Sequence, residues 1–176
     1  LYVLLPASAA NSYEIGTAAF GPSVSSSPVT GEMVYLKDLN DPSSHTGCNE
    51  AENGASCTGK IVLIDRGSCD FSQKVYTAQQ YGAIGVVIVN YENNIISMGA
   101  GQNASSVTIP SAFVTKSTGD ALKALLENGD SLVVKLEKPA SSGPEFLDAS
   151  LDNGIIAHEY GHGISNRLTG GPNNSS

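Results

Sequence analysis

The sequence predicts a mixed α/β fold over residues 1–138, a mixed β-sheet with two flanking helices, followed by the helical start of a second unit. Three observations predict it. Two aliphatic runs, Ile61–Ile64 and the core of "AIGVVIVN" (83–90), have the length and composition of strands buried on both faces. Between them Phe71, Val75 and Ala78 recur at helical spacing, and strands joined through a helix should lie parallel with a right-handed crossover. Downstream, "PASSGPEF" has the composition of a linker and separates this domain from everything after it, which places the linker at 139–147.

Each element has its own warrant. "YEIGTAAF" (13–20) and "GEMVYLK" (31–37) are strand candidates on either side of a Ser/Pro loop, "GPSVSSSPVTG". Asp70 stands three residues before Gln73, a capping-box spacing for the first helix, which Gly82 closes. "VTIPSAFVT" (107–115) reads as a strand interrupted by Pro110, at an edge or a bend. The second helix takes Ser117 or Thr118 as its cap and Ala121, Leu122, Leu125 and Leu126 as its apolar stripe, and Gly129 ends it. "DSLVVKLEK" then alternates Leu132, Val134 and Leu136 toward a core.

Composition narrows the function. Seventeen acidic against nine basic side chains give a net charge of -8, which repels phosphate backbones and anionic bilayers, so neither nucleic acid nor a membrane is an expected partner. "LYVLLP" is too short for a spanning helix or a signal-peptide core, and a start at Leu1 suggests a mature product or an excised piece. Low charge density with many Ser, Thr, Asn and Gly suits a secreted, extracellular protein. Cys48, Cys57 and Cys69 suit one disulfide plus a spare thiol, the pair left open. A zinc cluster with His45 is the alternative, although the C-x8-C-x11-C spacing lacks a tight knuckle. Asn103, Asn173 and Asn174 begin N-x-S triplets, read as ordinary polar loops.

The chemistry concentrates in "LDNGIIAHEYGHGISNRLTGGP" (151–172). On a helix His158 and His162 fall about 40° apart, one turn from each other, which makes a two-imidazole metal clip. Glu159 falls to one side of them, where it can act as general base without binding the metal. H-E-x-x-H on a helix is the pattern of zinc peptidases. Gly154, Gly161 and Gly163 each cost about 0.8–1 kcal/mol in a helix interior, so something other than helix stability selects them. Ser165 and Leu168 stand where the extended H-E-x-x-H-x-x-G-x-x-H motif needs Gly and His, and no residue of 163–176 is acidic. The third ligand is therefore expected outside this chain.

Two resemblances meet in these residues. The run "LDNGIIAHEYGHGISNRLTGGPNNSS" resembles the active-site segment of the fungalysin family of secreted zinc metallopeptidases, which implies that His158 and His162 bind Zn2+ and Glu159 is the catalytic base. The rest, from about Tyr13 to Leu136, resembles a protease-associated (PA) domain through "GKIVLIDRGSCDFSQKVYTAQQYGAIGVVIVN", "MGAG" and "TIPSAFVTKSTGDALKALLENG". That likeness implies a mixed sheet or open barrel, found inserted in secreted peptidases and in sorting receptors, where it binds protein segments or covers an active site.

The expectation is thus a PA domain (1–138), a linker (139–147) and the start of a zincin catalytic domain (148–176). Together they form part of a secreted zinc endopeptidase whose partners are a protein or peptide substrate and the remainder of the catalytic domain. This chain alone is expected to be inactive. The alternative is a non-catalytic protein-interaction module. Two loops are candidate contact surfaces, "DRGSCDF" (65–71) and "NNIISMGAGQN" (93–103). In the first, Asp65, Arg66 and Asp70 are equally explained by a turn, a local ion pair and a helix cap.

Overall fold

The aliphatic runs form the centre of one seven-stranded sheet. Its strands are β1 (Tyr2–Leu5), β2 (Asn11–Ser12), β3 (Val29–Tyr35), β4 (Ile61–Asp65), β5 (Gly85–Val89), β6 (Ser111–Val114) and β7 (Val133–Leu136). Their order is β2-β1-β7-β3-β4-β5-β6, with helices α1 (Phe71–Gln80) and α2 (Lys116–Glu127). The computed structural model describes residues 1–41 and 43–138, and Leu1–Lys138 make one compact unit. His158, Glu159 and His162 lie outside the described residues, as do 139–147.

β3 joins two kinds of sheet. Its first half pairs antiparallel with β7, from Val29 opposite Leu136 to Glu32 opposite Val133, while its second half runs parallel to β4, from Met33 opposite Ile61. β4, β5 and β6 continue in parallel, as expected for strands joined by α1. Because successive strand residues point to opposite faces, each run feeds two cores. Val62, Ile64, Val86, Ile88 and Phe113 pack with Val75 and Ala78 of α1, whereas Ile61, Leu63, Val87, Val89, Ala112 and Val114 pack with Leu122 of α2. The two helices therefore cover opposite faces, and each fully buried aliphatic contributes about 1.5–3 kcal/mol. α2 sits close enough that a Cβ on Gly119 would collide with the side chain of Val89, which explains a glycine inside a helix despite its cost of about 1 kcal/mol.

Several sequence expectations are corrected. "YEIGTAAF" forms no strand: Gly16 and Ala18 make isolated bridges to Phe113 and Met98, in effect sealing the outer edge of β6. The capping box does not form, for Asp70 is the N-cap by position only and Gln73 is drawn off to Thr77 and Asn103. α2 begins earlier than its expected caps. Thr115 accepts from Thr118 N at 3.2 Å, and Asn93 Oδ1 accepts from Ser117 N at 2.8 Å. The opening residues contribute β1, which pairs antiparallel with β7, so the edge at Asn11–Ser12 is short. Pro110 stands just before edge strand β6, and its carbonyl accepts from Val86 N.

Candidate functional site

The carboxyl ends of parallel strands are where open α/β sheets collect ligands. Here β4 ends in Asp65 and Arg66, β5 is followed by Asn90 and Tyr91, and the first turns of α2 bring Lys116, Asp120 and Lys123 alongside. Together they line a cleft of about 230 Å³. Its lining combines three basic side chains, two carboxylates, an amide and an aromatic ring, a set suited to hydrogen bonding and ion pairing with a ligand.

Asn90 is the hub. Only 2% exposed, it accepts from Arg66 Nη1 and from Tyr91 N, both at 2.9 Å, and its amide donates to Asn94 O and Oδ1, which closes the 90–94 loop. The Arg66 guanidinium lies 4.3 Å from the centroid of Tyr91 and 5.8 Å from that of Phe71. A guanidinium has five N–H donors, and among the described residues Arg66 makes no ion pair. Its expected local pairing with Asp65 does not occur. Asp65 instead accepts from Tyr35 Oη at 2.6 Å and pairs with Lys123 Nζ at 2.7 Å, so the acidic neighbour is consumed elsewhere. Tyr35 is further held by stacking on His45, centroids 3.8 Å apart, while His45 Nδ1 donates to the Leu36 carbonyl. Burial, then the bond to Asp65, pushes the Tyr35 phenol well above its ordinary pKa, so it stays a neutral donor.

The loop that carries Arg66 is fastened twice. Cys48 and Cys69 form the disulfide, which closes the choice among three cysteines, and Cys57 remains a buried free thiol whose pKa burial raises. Asp38 organises the other side of that bond. Its carboxylate accepts from Thr46 N at 2.8 Å, Gly47 N at 2.9 Å and the hydroxyls of Ser44 and Thr46. Burial alone would raise this carboxyl, but those donors outweigh it and hold its pKa below the usual range. In the second candidate loop, 93–103, Met98 is fully buried and Ile96 packs on the same core, so these two residues anchor the loop, while Ile95 is half-buried and most of the rest is exposed.

A protein-family model described as "PA domain" matches residues 29–122, which spans β3 to α2 and includes every strand end of the cleft. The chain belongs to the PA-domain family. Relatives of this PA domain include vacuolar-sorting receptor 5 of Arabidopsis thaliana, 33% identical over 139 residues that cover 72% of this chain and 22% of the receptor. Another is signal peptide peptidase-like 3 of Oryza sativa subsp. japonica, 30% identical over 132 residues, 72% of this chain and 24% of that protein. The PA domain thus spans less than a quarter of these curated relatives. Among solved structures, an aminopeptidase from Aneurinibacillus sp. strain AM-1 superposes with a TM-score of 0.51 at 26% identity, over 75% of this chain and 34% of that one. A peptidase M28 precursor from Shewanella amazonensis SB2B superposes with a TM-score of 0.55 at 17% identity, over 77% and 33%, and shares the fold.

Sequence reasoning named Asp65, Arg66 and Asp70 but missed Asn90, Tyr91, Lys123 and Lys74. Lys74 carried a signal: with Phe71, Val75 and Ala78 it completes an i, i+3, i+4, i+7 face, so a lysine falls on the apolar stripe. Among the described residues no three His, Cys, Asp or Glu side chains converge as a metal site requires.

Proposed function

We propose that this chain is part of a secreted, fungalysin-like zinc endopeptidase, with residues 1–138 as its protein-recognition module, 139–147 as a linker and 148–176 opening the catalytic domain. The observation that carries the reading is the H-E-x-x-H motif directly downstream of a PA domain. Two histidines four residues apart have the spacing that suits zinc, so His158 and His162 would hold the metal. Zinc at such a site supplies Lewis-acid polarisation of the peptide carbonyl. Glu159 would take the proton from the attacking water and return it to the leaving amine. The likeness to a solved aminopeptidase supports a peptidase setting, and the disulfide supports an oxidising, extracellular one.

Within the module, the Arg66 cleft is the contact site. A guanidinium with spare donors, flanked by two aromatic rings and open to solvent, fits the carbonyl or carboxylate oxygens of a peptide or protein segment.

Calorimetric zinc titration of a version extended through the next acidic helix, beside its His162→Ala variant, tests the catalytic half. Binding that is lost in the variant supports it, and binding unchanged by the substitution contradicts it. The relatives named as sorting receptors favour a second reading, a non-catalytic interaction module. That reading is preferred if a version extended through the next acidic helix binds protein yet hydrolyses none, with Glu159→Gln making no difference.

A further inference from the structure

Lys74, one turn into α1, is 0% exposed. Its ammonium donates to the carbonyls of Thr46 and Gly67, each at 2.6 Å, and lies 3.4 Å from Cys48 Sγ. Three neighbours occupy its three N–H bonds, yet among the described residues no carboxylate pairs with it. The carboxylates that act on it from a distance are Asp38 and Asp65, and burial outweighs both, lowering its pKa to about 8. The cation is therefore balanced chiefly by carbonyl dipoles, and its third N–H is directed at a disulfide sulfur, a weak acceptor.

The asymmetry matters. The ammonium touches Cys48, and the hydrogen bonds of its other two N–H groups leave no donor for Cys69. A thiolate on Cys48 would be the anion this pocket lacks, whereas one on Cys69 would have no such partner. Thiol–disulfide exchange runs faster through the sulfur that leaves as the better-stabilised thiolate.

We propose that Cys48–Cys69 is a thiol-exchange site, at which a small incoming thiolate attacks Cys69 Sγ and Cys48 departs as a thiolate held by the Lys74 ammonium. In the first step the new sulfur–sulfur bond forms to Cys69, the Cys48–Cys69 bond breaks, and its electron pair stays on Cys48. With a dithiol reductant, the second thiolate then displaces Cys69, which leaves as a thiolate and takes up a proton. Two electrons pass from the dithiol to the protein, and the dithiol ends as its own disulfide. Cys69, between exposed Ser68 and exposed Asp70, and Cys48, on the wall of a cleft of about 260 Å³, are both half-buried, so the preference for attack at Cys69 rests on the leaving thiolate at Cys48. After reduction Lys74 still bridges Thr46 and Gly67, so both cysteine loops keep a common anchor and the fold outlasts the bond.

Brief exposure of the folded chain to glutathione, followed by acid quenching and peptide mapping, reads the site directly. The expected product carries glutathione on Cys69 and a free thiol on Cys48, in excess over the reverse product by about tenfold or more. Buried Cys57 stays unmodified and reports that the chain remained folded. Lys74→Arg should keep the bias and Lys74→Met should abolish it and slow the exchange. If the Met variant does not fold, the wild-type ratio decides alone. Glutathione on Cys48, an even split, or a bond that resists both glutathione and dithiothreitol under native conditions overturns the proposal.

Discussion

Lys74 and Arg66 are two cations on one short stretch of chain, eight residues apart, and the fold treats them in opposite ways. Lys74 is fully buried with every N–H occupied by main-chain oxygens and a sulfur. Arg66 is half-buried, keeps a hydrogen bond to Asn90 and two aromatic contacts, and makes no ion pair among the described residues. The difference separates scaffold from contact: a saturated cation fixes the loop, whereas an unsaturated one on that fixed loop is free to meet a ligand. The loop itself is held from both sides, by the disulfide and by the Asp38-ordered segment whose Thr46 carbonyl Lys74 also binds.

The contrast can be tested through stability, beginning with the largest expected effect. Lys74→Met strips two part-buried carbonyls of their donor, at about 1–3 kcal/mol each, offset in part by relief of a buried charge, so chemical denaturation should show a loss of about 2–4 kcal/mol. A change below 1 kcal/mol would remove Lys74 from the scaffold. Gly119→Val forces a side chain against Val89 and should cost about 1–3 kcal/mol by the same assay, because α2, which delivers Lys123 to Asp65, has no room to retreat.

The pH dependence sharpens the comparison further, since the two buried charges have opposite signs. Asp38 has a folded pKa below its unfolded value, so its contribution is complete above the ordinary carboxylate range and is lost as pH falls through the depressed folded value. Denaturation midpoints should drop on acidification in the wild type, and Asp38→Asn should flatten that limb. Lys74 has a folded value of about 8 against 10.5, so burying its charge opposes folding below about pH 8. That opposition is relieved as pH rises from there toward 10.5. The alkaline limb should therefore lose this upward component in Lys74→Met. The smallest effect belongs to the exposed pair Lys116–Asp120, four residues apart on α2, where Lys116→Ala should change stability by about 0.5 kcal/mol or less.

The central sheet was legible because its signals are local. Four aliphatics in a row at Ile61–Ile64 can only be buried, and a helix spacing between two such runs dictates parallel strands. What escaped depended on distant partners. "YEIGTAAF" has strand composition, but its neighbour across the edge is a single residue of β6, so bridges replace a ladder. Asp70 and Gln73 have capping spacing, but Gln102 N and the Asn103 amide, some thirty residues on, claim them. Asp65 was read with Arg66 beside it, whereas the partners that win are Tyr35 and Lys123. In the candidate site, residue types were visible and pairings were not. Lys74 went unread although it stands as a charge on an apolar helical stripe.

The most direct test of the scaffold-and-contact division passes a pooled library of synthetic peptides over the immobilised chain and compares wild type with Arg66→Gln, alongside the thermal midpoint of each. The account predicts a reproducible retained set whose members bind about tenfold or more weakly to the variant, at an unchanged midpoint. A retained set indifferent to Arg66→Gln, or a variant that loses binding only because it unfolds, would contradict it.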